Sequence, residues 1–383
     1  MIKNTLTKIL LTCVVTILCT AQYSFAQSES DIDFQNGPLY KKATVQDIIQ
    51  TTYPLIFGKE VEFQQLSVQF EDGTKNLDVY NDYTPVQVGD VVYITAGYNP
   101  DTNTEGYFVR EIDRANSIVG IALIFIAVYL LIAGVRGFRS LIALAFAVAS
   151  VWFILIPLLV AGYDPLLVGV GLSTLILGIA IFVTHGLSIV SVASYVGSMI
   201  AICFTIIFAN LSVSWARISG LVGDENSTLS ILYGSSLDLQ GLLLAGMIIG
   251  ILGVLDDVAV MQAAMVREFM YESKKSIGSI FKQAMRVGQE HAAALVNTLV
   301  LAYTAVALPL FLIVLSPTNQ QFETADIPLR MQLSNELFVA ELIRSVVGSF
   351  GLVITIPIVT ALAIVLFMKF PPKEPGAHHV HHH

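Results

Sequence analysis

Two adjacent acids, Asp256 and Asp257, stand in an otherwise apolar stretch, GLLLAGMIIGILGVLDDVAVMQAAM, which starts at Gly241 and is long enough to cross a bilayer. An ionised carboxylate near the middle of a lipid-embedded helix costs about 2.5 to 3.5 kcal/mol on insertion scales, so an acid there serves something. Two chemistries suit it: holding a proton or cation, or hydrogen-bonding a neighbouring helix. Successive helical side chains lie about 100° apart, so the two acids cannot meet at one point as a proton-sharing dyad. Counting back from Asp257 gives Gly253, Gly250 and Gly246, a stripe that lets another helix or a solute approach closely. Asp256 shares its face with Ile249, Leu252 and Ala259, and turns toward the cytoplasmic boundary or another polar helix.

A second polar group lies downstream in NTLVLAY, residues 297–303, which sets Asn297, Thr298 and Tyr303 in an apolar helix ahead of Leu308-Pro309. Pro309 lacks a backbone donor, so the helix is expected to kink near Ala305. Irregular backbone in a membrane survives where it lines a cavity or is buried in protein. Asn297 and Thr298 therefore have two readings, as cavity lining or as bridges between helices. Glu290 and His291 precede this helix, and the short connection can bring His291 to the inner end of the Asp256 helix as a protonatable partner. A water-satisfied interfacial histidine is the alternative. The terminal HHVHHH adds His378, His379, His381, His382 and His383, which suit divalent transition metals only as a loose collector, so no metal site is assigned. Val380 interrupts what would otherwise resemble a purification tag. No HExxH motif occurs, and the paired acids do not come from facing elements, so neither an enzyme nor a cofactor is expected.

Composition identifies what must position these residues. The chain is 55% hydrophobic and 13% charged, against about 25% charged in soluble domains, and its mean hydropathy is +0.72. It reads as an integral membrane protein, mainly α, with the lipid bilayer as its surroundings. Residues 1–26 have a secretory layout: Lys3 and Lys8, an apolar run over 9–21, then Ser24-Phe25-Ala26. Cleavage after Ala26 is expected, with a retained anchor as the other reading. Cys13 and Cys19 fall in this signal, which leaves Cys203 alone and without an internal disulfide.

Residues 27–116 form an acidic domain with 15 acids and 6 bases, which excludes nucleic acid as a partner. Its alternating runs FQQLSVQF, KNLDVY, VGDVVYITAG and YFVREI predict about five short strands in a small all-β barrel or sandwich, OB-like or SH3-like. The Gly89-Asp90 step reads as a tight turn. From 117 to 368 a helical bundle follows, with about seven spans expected at 117–135, 140–161, 166–184, 189–209, 240–264, 294–315 and 345–368. Basic residues concentrate in GVRGFRS, in the segment from Arg267 to Arg286 and in the tail over 369–383. The positive-inside rule then places the β domain and N terminus outside and the C terminus inside a bacterial cytoplasmic membrane. Between the two polar spans, residues 275–291 read as an amphipathic helix on the inner surface, with Ile277, Ile280, Phe281 and Ala284 on one face.

GILGVLDDVA, from Gly250 to Ala259, together with NTLVLAY, Leu308-Pro309, the GVRGFR loop and the 157–165 segment, resembles the YibE/F-like family of bacterial membrane proteins. The resemblance covers most of the mature chain. It implies an extracytoplasmic N-terminal domain and a multi-span bundle, and it maps the family's characteristic acid to Asp257. It brings no established reaction or substrate. Asp256 stands where an apolar residue is expected, and Met261 and Ala264 stand where serines are expected, which weakens any polar ladder below the aspartate.

The residues favour a permease for an ion or small solute, with Asp257 on a glycine-lined helix face. A non-transporting accessory or sensor protein, binding a protein partner through its β domain or inner amphipathic helix, is the second class. In that class Asp257 is a structural hydrogen-bonding group.

Overall fold

A computed structural model of the chain describes residues 40–371, apart from 57–58, 83, 100–103, 235–236, 273–275 and 316–327. The signal over 1–26 and the five tail histidines lie outside the described residues. Two compact units divide between Gly134 and Val135.

The first unit contains a closed five-stranded barrel built from β1 (Tyr40–Thr52), β4 (Phe63–Phe70), β5 (Lys75–Asn81), β6 (Val91–Asn99) and β7 (Thr104–Ile112). Strands β2 (Leu55–Ile56) and β3 (Lys59–Glu60) form a separate ribbon. The barrel order is β1-β4-β5-β7-β6, with β5 and β7 parallel and the other pairs antiparallel. This Greek-key connectivity is OB-like, so the OB alternative holds over the SH3 one. Leu66, Val68, Val79 and Val92 are fully buried at its centre, the inward half of the alternation seen in sequence. Gly89 does make the expected turn: its φ of 97° suits glycine, its N–H donates to Val45 O, and Asp90 O accepts from Val45 N. β1 is long because it pairs with β6 through residues 40–44 and with β4 through 43–52. Its register shifts at Val45/Asp47 and at Ile48/Gln50 break the alternation that would have announced it.

After the barrel, α1 (Ala115–Ser150) is interrupted at Gly134, whose φ of 56° and ψ of −141° leave the helical region. A five-residue π-helical segment, Val151–Leu155, follows, then α2 (Ile156–Val160), α3 (Pro165–His185), α4 (Ile189–Trp215), α5 (Gly223–Tyr233) and α6 (Leu239–Glu272). The chain continues through α7 (Ile277–Val306), α8 (Leu308–Leu315), α9 (Leu329–Leu333) and α10 (Glu336–Lys369). Among the described residues, six helices are long and apolar enough to cross a membrane: 115–135, 137–160, 165–185, 189–215, 239–271 and 336–369. They correspond to six of the seven expected spans. The remaining span, 294–315, falls across the end of α7 and α8, and helical pairing loosens at Ala307, just ahead of Pro309.

The amphipathic segment differs from its expected role. Residues 277–291 are the first half of α7, continuous with Asn297 and Tyr303. Ile280 and Ala284 pack in one cluster with Ala259, Ala263 and Val266 of α6 and Val359 and Ala363 of α10. The apolar face is thus used inside the protein, while Ile277 and Phe281 stay exposed.

Small residues set the helix spacing within the second unit. A Cβ at Gly169 would lie 2.6 Å from Ala245 Cβ, one at Gly197 2.6 Å from Val359 Cγ2, and one at Gly288 2.5 Å from Ile356 Cγ2. Such approaches pull backbones together where lipid supplies no hydrophobic drive between helices. Helix α6 ends up at the centre, with 61% of its apolar window buried.

Candidate functional site

Helix α6 exposes a single narrow stripe. Between Leu243 and Val266, the exposed residues are Gly246, Gly250, Gly253 and Asp257, while every other position is buried or half-buried. These are the residues that helical counting joins into one face. Ala245 meets Gly169 of α3, Ala259 O accepts from Ser194 of α4, Ile251 meets Gly351 of α10, and Gln262 reaches α7. Neighbouring helices therefore cover the remaining directions. At 1.5 Å per residue, the stripe from Gly246 to Asp257 runs about 16 Å, roughly half the hydrocarbon thickness.

Among the described residues, Tyr303 reaches this stripe at Gly250. A Cβ at Gly250 would lie 2.9 Å from the Tyr303 hydroxyl, whereas Cβ positions at Gly246 and Gly253 would meet nothing within 4 Å. Tyr303 also rests on α10, its Cε2 3.5 Å from a Cβ built at Gly348. The stripe is thus open at two glycines and covered at the one between them. Asn297 and Thr298, by contrast, are exposed, and Thr298 Oγ1 donates to Ala294 O of its own helix at 3.0 Å. Asn297 lies two residues from the buried Leu299, about 200° around the helix, so it points away from the face that packs on the bundle. The structure brings Tyr303 to the glycine stripe and leaves Asn297 off it.

Asp256 faces elsewhere, as its register requires. It follows Ala245 by eleven residues, a net rotation of about 20°, so it points as Ala245 does, toward α3. Ala259 is three residues further on and turns back by about 60°, toward α4. Asp256 sits at that junction, neither at a helix boundary nor on the glycine face, and its Oδ1 is buried without a hydrogen-bond partner.

Glu290 is exposed and 3.9 Å from Arg286 Nε, one turn earlier on α7. His291 is half-buried, and its neighbour Ala292 packs in a cluster with Val254 and Val258. The α7 backbone therefore passes α6 at the height of the aspartates.

Two polar sites escaped the sequence reading. Gln262 is 1% exposed, and its Nε2 donates to Ala284 O at 3.0 Å and to Thr360 Oγ1 at 2.7 Å, tying α6 to α7 and α10. Its signal was an amide in an apolar run, six residues past Asp256. On α10, Glu341 Oε1 pairs with Arg344 Nη1 at 2.9 Å, and Arg344 Nε is buried without a partner. Residue 341 precedes the span expected at 345–368, but α10 begins at Glu336 and includes it. Gly348, which receives Tyr303, is one turn beyond Arg344.

An apolar helical bundle joined to a small β-barrel defines a membrane protein. The chain belongs to the YibE/F-like family, whose model, described as YibE/F-like protein, matches residues 121–369. The match runs through all four stripe residues, Tyr303, Gln262 and the Glu341–Arg344 pair. Neither the curated proteins nor the solved structures compared give a match.

Proposed function

We propose that the protein is a non-catalytic permease for an ion or small solute, in which Asp257 offers a carboxylate to the cargo in a glycine-floored groove. The observation that carries this reading is the coincidence of exposure and sequence on α6: between Leu243 and Val266 the exposed positions are the three glycines and the acid. A helix this deeply packed would ordinarily close such a face with larger side chains, and an acid on it is costly unless it meets water, an ion or a polar solute. Tyr303, lying over Gly250, is placed to obstruct the same groove.

In this reading the β-barrel is extracytoplasmic, the C terminus is cytoplasmic, and the α7–α8 pair supplies a seventh crossing of the bacterial cytoplasmic membrane. Support comes from the acidic 27–116 segment and from the cations at Arg136, Arg139, Arg267, Lys282 and Arg286.

The test is flux through proteoliposomes containing the full chain, with a panel of monovalent ions, divalent ions and small organic solutes. Asp257→Asn is expected to abolish the flux shown by the unaltered protein while keeping its helical content and elution volume. Flux unaffected by Asp257→Asn would overturn the role of the acid. Absence of flux for the whole panel would favour the accessory class, with the barrel as its partner-binding part.

A further inference from the structure

Asp256 Oδ1 and Ser198 Oγ are both buried atoms without a hydrogen-bond partner, and the packing of α4 on α6 places them at one level. Ser194 Oγ donates to Ala259 O at 3.1 Å, which fixes one point of contact. A second lies at Gly351, where a Cβ would meet both Thr205 Oγ1 and Ile251 Cδ1 at 2.9 Å. Residue numbers rise along α4 between these points while they fall along α6, so the two helices are antiparallel. Ser198 is one turn beyond Ser194, and Asp256 is three residues before Ala259. Both are therefore displaced the same way from the Ser194 hydrogen bond, by about 6 Å and about 4.5 Å along the helix axes. Ser198 keeps within about 40° of the Ser194 direction and so also faces α6.

The surroundings supply no positive charge. Neither α3, α4 nor the π-helical segment contains an arginine or lysine. Their titratable residues are Tyr195 and Cys203 of α4 and His185 at the C-terminal end of α3, and Asp257 adds a like charge from α6 itself. Leu252, Leu255 and Val260 of α6 share one core cluster with Leu155, Leu177 and Ile202, with Tyr195 packed against it, so the surroundings are mainly apolar. A buried carboxylate oxygen without a donor or counter-charge is costly, and an unpaired buried hydroxyl at the same level adds to the cost. One ligand that is positive and accepts oxygen donors satisfies both.

We propose that Asp256 and Ser198 form a binding site for a small monovalent cation, a proton or Na+, at the junction of α3, α4 and α6. The site is distinct from the groove of Asp257, because the two carboxylates diverge by about 100°. It does not require that the protein transport anything, so its test reads occupancy instead of flux.

The experiment uses the full chain in liposomes and dicyclohexylcarbodiimide, an apolar reagent that adds to a protonated buried carboxyl, with the modified residue located by mass spectrometry. Asp256 is expected to be labelled in the unaltered protein and in Asp257→Asn. For an Na+ site, saturating Na+ slows labelling about tenfold, as mass action requires of a ligand on the reactive oxygen. For a proton site, labelling is indifferent to Na+ and falls as pH rises. In either case Ser198→Ala shifts the half-protecting Na+ concentration or pH by about fivefold in concentration, the loss of one hydrogen-bonding partner. Ser198→Ala removes a single oxygen, so it serves where Asp256→Asn fails to fold. Absence of label on Asp256, labelling insensitive to both Na+ and pH, or a Ser198→Ala response identical to the unaltered chain would each overturn the site.

Discussion

The Tyr303 hydroxyl lies 2.9 Å from the place a Cβ would take at Gly250, so a tyrosine from α7 rests directly on the glycine stripe of α6. The three glycines are consequently unequal. Gly250→Ala must push Tyr303 aside, an overpacking cost of about 1–3 kcal/mol. Gly246→Ala and Gly253→Ala meet nothing within 4 Å and should not lower thermal stability, alanine being the better helix former. If the groove carries cargo, all three lower flux; if it only seats a neighbouring helix, stability alone responds, and only at Gly250. Paired melting and flux measurements on the three variants separate these outcomes.

That stripe was legible in the sequence because helical periodicity is geometric: once residues 241–264 form one helix, Gly246, Gly250, Gly253 and Asp257 must align, and Asp256 must diverge. What packs against each face was not legible. Gln262 looks like any amide until Ala284 O and Thr360 Oγ1 are placed beside it, and Arg344 gains its partner only because α10 starts at Glu336. The two halves of α7 read as separate elements because hydropathy changes at residue 291 while backbone geometry does not. β1 was hidden for a different reason, since its bulges shift the inward positions out of a period of two.

Gln262 supplies the second prediction. Gln262→Leu removes two hydrogen bonds that tie three helices, and interhelical bonds in membranes average about 0.6 kcal/mol each, with a maximum near 1.7. A loss of about 1–3 kcal/mol follows, because Thr360 Oγ1 and Ala284 O keep their own helical partners. Gly288→Ala should cost more, since its Cβ would meet Ile356 Cγ2 at 2.5 Å and Gln262 Oε1 at 2.9 Å. Unfolding in mixed micelles gives the order; Gly288→Ala more stable than Gln262→Leu would contradict the packing.

The barrel carries a pH signature. Lys42 Nζ is 2.9 Å from Asp113 Oδ2. The Lys42 hydrogen bond, aided by the Ala115 N–H, holds the Asp113 carboxyl below the usual aspartate range, and the same hydrogen bond raises Lys42 above the usual lysine range. A lowered acid stabilises fully above its unfolded value and loses that contribution as pH falls through its folded value. A raised base stabilises fully below its unfolded value and loses it as pH rises through its folded one. Barrel protection should therefore be flat through neutral pH and fall at both extremes, and Asp113→Asn should remove the alkaline edge and shrink the acid one, to which the lowered Asp72 and Glu111 also contribute. Hydrogen exchange of β1 and β7 amides in the full chain, corrected for intrinsic rates, reports it.

The Glu341–Arg344 pair makes the last prediction. Its side chains are 15% and 30% exposed, so neither charge is fully solvated. Arg344→Ala leaves Glu341 without a counter-charge within electrostatic reach of Tyr303, and Glu341→Ala leaves Arg344 with its buried Nε and no carboxylate. Breaking a fully buried pair from one side costs about 3–5 kcal/mol, and partial exposure here reduces this to about 1–2 kcal/mol. The double variant, with both charges gone, should be less destabilised than either single one, because no orphan charge remains. Loss in the double variant equal to the sum of the singles would mean that the two residues act independently, and that Arg344 owes its place in α10 to something other than Glu341.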